Sequence, residues 1–259
     1  MSEYKNGSLV GGGGGDGETI SCIWGRPANP HAYDDEFDSG TLDAAWSWTT
    51  NGDACAIDAT PIDVYNTYSG PAVNKTRYEV NTAQQPSWLR IQPYQDQVAG
   101  NENVYMEKAI TAPTNFLMYS RLRFQQDLSI ASNEIMVGLI VFLGAYNNWY
   151  HIQLQETDVG IVRSDAYVYA AGSGTLVGTT ASVSTQGQAL QYVALQKLDT
   201  TYHFWVGTES NWIHMGSSSA ATGAVTKIGI SANSSGGTKP WVVGCDFVRF
   251  IETDKFLIG

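Results

Sequence analysis

The segment Asp34-Asp35-Glu36-Phe37-Asp38 places four carboxylates within five residues. On a strand, Asp34, Glu36 and Asp38 would project from one face. Alternating carboxylates of that kind can set a nucleophile and an acid about 5 Å apart for retaining glycoside hydrolysis. The same oxygens at a chain turn suit a hard cation such as Ca²⁺, and a third reading is a solvated turn. The cluster lies at a domain entry, between Pro30 and Ser39-Gly40, with Phe37 as its one core anchor. A catalytic strand would sit mid-sheet among aromatics, so the turn and calcium readings stand ahead of catalysis.

A second group has the chemistry of sugar recognition. Asn147-Asn148-Trp149-Tyr150 leads into His151, Gln153 and Gln155. Rings stack on the C–H faces of sugars while amides read hydroxyls, although core packing accounts for most Trp in a β-sandwich. The four histidines, His31, His151, His203 and His214, show no HxH or HExxH spacing, so zinc and copper are not expected. No G-x-S-x-G is present. Gly12–Gly17 satisfies G-x-G-x-x-G, but no strand precedes it and no helix follows, so it reads as a flexible arm. The three cysteines, Cys22, Cys55 and Cys245, are far apart with no CxxC pair. Buried free thiols are the first reading; a pairing of two in the fold is the other.

The balance of charge excludes other classes. Lys and Arg number 14 against 25 Asp and Glu, a formal net charge of −11. Clustered cations for phosphate are missing, so nucleic acid and anionic membrane surfaces are not expected partners. No apolar stretch approaches a membrane span, and the N-terminus has no apolar core of a signal peptide. Synthesis in the cytoplasm is expected.

The elements that must position these residues are strands. From about His31 onward, short runs rich in β-branched and aromatic residues alternate with Gly, Asn, Ser and Pro clusters. In Trp149–Gln155, Tyr150, Ile152 and Leu154 share one face while Trp149, His151, Gln153 and Gln155 share the other. Asp53–Val64 also reads as a strand, and Thr41–Trp46 could make one helical turn. No βαβ rhythm exists. The expected fold is all-β: an antiparallel β-sandwich over 31–259, preceded by an extended Gly-rich arm over 1–30. That arm holds an apolar patch, Ile20, Cys22, Ile23 and Trp24, which should dock onto its own domain or a neighbouring subunit.

Several pieces, in order, carry a family resemblance. Asp34–Trp48 resembles the opening strand of concanavalin A-like (laminin-G-like) jelly-roll sandwiches. Trp88-Leu-Arg-Ile, Phe116–Phe124, Val137–Phe142 with Asn147–Tyr150, and Cys245–Phe250 resemble later strands, so the resemblance spans roughly 33–252. It implies a calcium joining the opening acids to the closing strand, by position Glu36 or Asp38 with Asp246; no other cofactor is expected. The acidic catalytic motif of the glucanase branch is not matched: Glu134 and Glu156 are isolated, apart from Asp158 in a turn. The Gly-rich arm, Pro27-Ala-Asn-Pro30 and the opening segment also resemble accessory domains of tailed-bacteriophage virion proteins. The resemblance implies a non-enzymatic virion part (tail fibre, appendage or decoration) that is homo-oligomeric. Its arm would anchor it to other virion proteins, and host-surface glycans are a further partner. A glycoside hydrolase or a free carbohydrate-binding module is the alternative.

Overall fold

The computed structural model describes residues 3–5, 8–10, 19–20, 30–50, 53–62, 75–83, 85–93, 104–124, 135–158, 161–180, 183–184, 190–208, 211–234 and 242–257. Among the described residues every regular element is a strand. The first are β1 (Glu3–Lys5), β2 (Ser8–Val10), β3 (Thr19–Ile20), β4 (Trp46–Thr50), β5 (Asp53–Ala54), β6 (Ala56–Ile57) and β7 (Lys75–Thr82). Next come β8 (Gln85–Pro93), β9 (Val104–Ala109), β10 (Phe116–Phe124), β11 (Ile135–Phe142), β12 (Trp149–Asp158), β13 (Ile161–Ala170) and β14 (Ser173–Thr179). The last are β15 (Val183–Ser184), β16 (Leu190–Leu198), β17 (Thr201–Thr208), β18 (Asn211–Ser218), β19 (Lys227–Ser234), β20 (Val243–Glu252) and β21 (Phe256–Leu257).

Two sheets face each other, as the alternation predicts. One runs β18-β17-β16-β10-β20-β8-β7-β6; the other runs β14-β13-β12-β11-β19-β9-β4-β5, with β15 also on β13. Between them lie Phe116, Met118, Phe124, Val193 and Phe204 from the first sheet, against Val137, Leu139, Tyr150, Ile152, Ile228 and Ile230 from the second. Each such side chain contributes about 1.5–3 kcal/mol on full burial. The pairings are antiparallel except β6 with β7 and β3 with β21. Sequence expectation fails at three places. Ser8–Val10 forms β2, paired with β1, ahead of the glycine run where no strand is expected. Asp53–Val64 yields only the two short strands β5 and β6, its last residues lying outside those described. Asp43–Trp46 closes as a turn on the Asp43 carboxylate and carbonyl, which accept from Ala45 N (3.0 Å) and Trp46 N (3.0 Å), so no helical turn forms.

At one flank the sheets close on each other. A Cβ on Gly178 of β14 would lie 2.2 Å from the Met215 carbonyl oxygen of β18, so only glycine permits this approach. Ala171 and Gly172 join β13 to β14 in a two-residue turn with φ of 51° and 84°, the twist such hairpins favour.

Two residues of the expected arm meet the end of the chain. Thr19 and Ile20 pair in parallel with Phe256 and Leu257; Cys22, Ile23 and Trp24 lie outside the described residues. Strand β21 is itself held by Gln196, whose amide donates to Lys255 O (2.6 Å) and accepts from Leu257 N (3.1 Å). Leu257 thereby joins a second apolar cluster with Leu117, Tyr119, Tyr192, Trp205 and Phe247 on the outer face of the first sheet.

Candidate functional site

The acidic opening segment is a clasp on the closing strand β20. Asp35 forms a bridge with Val248 through two backbone bonds of 2.9 and 2.8 Å. The Asp34 carboxylate accepts from Phe250 N (2.7 Å) and His31 N (2.8 Å). The Asp35 carboxylate accepts from Trp46 Nε1 (2.8 Å) and Phe37 N (2.9 Å). Burial raises the pKa of both acids against the pull of these donors. Glu36 meets Arg249 in a two-pronged pair of 2.7 and 2.9 Å. The turn therefore differs from a solvated one. Phe37 sits at φ 50° and is buried at the core edge. A left-handed residue costs about 1–3 kcal/mol, which burial of its ring offsets.

The ligands implied for calcium are otherwise engaged. Glu36 is paired with Arg249, and Asp246 with Arg121. Asp38 is exposed, and its carbonyl accepts from Asn81 Nδ2 (2.5 Å). Among the described residues no three His, Cys, Asp or Glu gather as a metal would require. A divalent cation would have to displace a guanidinium from each of Glu36 and Asp246, so these residues fit ion pairs better than calcium. Cys55 and Cys245 are buried thiols outside any disulfide, as first read for these two.

A denser polar group lies on the outer face of the second sheet. Strand registers stack it in four rows across β13, β12, β11, β19 and β9. The first row is Tyr169–Trp149–Phe142–Lys227, and the second is Tyr167–His151–Ile140–Gly229–Glu107. The third is Asp165–Gln153–Gly138–Ser231–Tyr105, and the fourth is Arg163–Gln155–Met136–Asn233. Trp149 and Tyr169 stack at 5.0 Å and remain half-buried at one end. Below them the His151 ring crosses β11 to place Nε2 2.5 Å from Ser231 Oγ on β19. Gly138 leaves room for that crossing, since a Cβ there would fall 2.4 Å from His151 Nε2. Burial depresses His151 to about 3. Gln153 Nε2 donates to Gln155 Oε1 at 3.1 Å.

Two carboxylates occupy this face. Glu107 Oε1 accepts from Lys227 Nζ (2.5 Å) and Tyr146 OH (2.6 Å). Desolvation works against the Lys227 charge, but these partners carry its pKa above the usual value. Asp165 Oδ2 accepts from Arg163 Nε at 2.8 Å. The second oxygen of each acid, together with Asn233 Nδ2, is buried with no partner among the described residues.

Of the residues singled out for sugar recognition, the fold brings Trp149, His151 and Gln153 onto one face. Asn147 and Asn148 are not on it: they lie in the β11–β12 turn, where Asn147 is exposed. The Asn148 amide is spent on Thr222 O (2.7 Å) and Leu143 O (3.4 Å). Asp158, expected in a turn, ends β12. Arg163 and Asp165 were missed, although their period-two spacing with Tyr167 and Tyr169 carried the signal. Glu107, Lys227 and Asn233 join only through pairing in the fold.

No family model matches the chain, and no curated protein matches its sequence. Solved structures resemble it in fold. The GH43 protein BlXynB from Bacillus licheniformis aligns with a TM-score of 0.55 at 14% identity, over 89% of this chain and 41% of that one. A xylan beta-1,4-xylosidase from Bacillus halodurans C-125 aligns at 0.57 and 13%, over 88% and 40%. The chain thus spans about two fifths of these enzymes. The CBM2 module of the evolved Dit of Lactobacillus casei BL23 phage J-1 aligns at 0.55 and 12%, over 88% of this chain and 98% of that module. These likenesses show a β-sandwich fold.

Proposed function

We propose that this chain is a non-catalytic carbohydrate-binding β-sandwich of a bacteriophage virion, reading host-surface glycans with the outer face of its second sheet. The observation that carries the reading is that face. Half-buried rings at Trp149, Tyr167 and Tyr169 offer stacking surface. Beneath them lie the buried side chains Glu107, Asp165 and Asn233, each with one polar atom that has no partner among the described residues, so the stacking surface rests on a polar layer. The phage module supports the setting, because nearly all of it corresponds to this chain. Residues ahead of β3 would attach the sandwich to neighbouring virion proteins.

Hydrolysis is the reading suggested by the GH43 structures. Glu107 and Asp165 lie four strands apart, about 19 Å at ~4.8 Å per strand. A glycosidase pair needs about 5–5.5 Å or about 6.5–9.5 Å, so these two acids do not form one. The test is a glycan array followed by titration calorimetry on the best hit. Trp149→Ala should weaken binding at least about tenfold, or about 1.4 kcal/mol, with the fold intact by circular dichroism. Unchanged affinity would remove this face from consideration. Release of reducing sugar from xylo-oligosaccharides would overturn the non-catalytic reading.

A further inference from the structure

We propose that His203 and His214 form a chelating site for a late first-row divalent cation, Zn²⁺ or Cu²⁺, on the outer face of the first sheet. The two lie on adjacent strands, 11 residues apart, so no short motif joins them in the sequence. Pairing of β17 with β18 sets His214 opposite Trp205, two residues along from His203, and a bulge at Phe204/Trp205 breaks the register beside them. The imidazoles meet diagonally across the two strands. His203 Nδ1 lies 3.4 Å from His214 Nε2, with ring centroids 5.4 Å apart. A tetrahedral zinc with bonds of about 2.0–2.1 Å holds two imidazole nitrogens about 3.3–3.4 Å apart. The pair stands at the separation of two ligands on one metal.

The surroundings hold that geometry and favour the metal-binding form. Trp205 packs on the His214 ring at 4.5 Å and Phe256 on the His203 ring at 4.9 Å, contacts that restrict both imidazoles before an ion arrives. A hydrogen bond with the Gly216 backbone also engages the His214 ring, the kind of outer support that orients a ligating histidine. Burial lowers the pKa of both rings, and the charge of His214 lowers His203 further. Both are then neutral at neutral pH, as ligation requires. His214 is exposed and His203 half-buried, which leaves a path from solvent. Imidazole donors suit zinc, copper and nickel, whereas calcium and magnesium take oxygens. Among the described residues no third His, Cys, Asp or Glu joins the pair. The remaining positions fall to water, which makes an open, exchangeable site rather than a closed structural one.

Isothermal titration of the untagged full chain with Zn²⁺ and with Cu²⁺ should show binding at about pH 7.5 that falls steeply by about pH 5, where protons compete for both rings. His203→Gln and His214→Gln should each weaken it at least about tenfold, because one imidazole does not chelate, with circular dichroism unchanged. Combining the two should cost little beyond either alone. His31→Gln, which removes an imidazole elsewhere, should leave the affinity as it is. Electron paramagnetic resonance of bound Cu²⁺ should show splitting from two imidazole nitrogens in the wild type and from one in either variant, a signal that a merely structural role would not move. Absence of binding by both cations overturns the proposal. So does full affinity in the double variant, an equal loss in His31→Gln, or a nitrogen count that neither variant changes.

Discussion

His151 shows how one side chain ties composition to a pH response. Its ring is buried over Gly138 and bonded to Ser231, and burial holds its pKa near 3 against an ordinary 6.5. The unfolded chain therefore takes up a proton that the folded chain refuses. With the folded value depressed, stability from this group is complete above pH 6.5 and is lost as pH falls toward 3. The slope is about 1.4 kcal/mol per pH unit inside that window. Urea melts from pH 7 to 4 should show it, and His151→Gln should flatten the curve by one proton. A slope unchanged in His151→Gln would mean that other groups carry the acid sensitivity.

At the scale of elements, the opening segment and β20 hold one another by side chains on backbone and by one ion pair. Arg249 and Glu36 keep only 6% and 14% of their side chains exposed. A pair this dry contributes through geometry, and removing one partner leaves the other partly stranded. Arg249→Ala should destabilise the fold by about 3 kcal/mol. A double-mutant cycle with Glu36→Ala should return a coupling of roughly 1.5–3 kcal/mol. Denaturant unfolding measures both, and a coupling near zero would show that the two act independently.

For the whole molecule, the distinction between a sandwich closed by ion pairs and one closed by calcium is measurable. Calcium at a hundred times its dissociation constant would add about 2.7 kcal/mol. With Glu36 and Asp246 both on arginines, thermal melts in EDTA and in millimolar Ca²⁺ should coincide within about 1 °C. A rise of several degrees with calcium would restore the metal reading.

The two-sheet architecture was legible in the sequence because burial on one face of a strand imposes a period of two, and that pattern is local. It separated Tyr150, Ile152 and Leu154 from Trp149, His151 and Gln153 before any pairing was known. The carboxylates of Asp34–Asp38 were equally visible, but their role was not. Whether they meet water, a cation or an arginine depends on β20, more than two hundred residues away in the chain. The same holds for the polar face. Period two places Asp165 beside Tyr167 and Tyr169 on β13, yet only strand order sets Glu107 about 19 Å away from it. That spacing is a property of which strands neighbour one another, and non-local pairing leaves no periodic mark in the sequence.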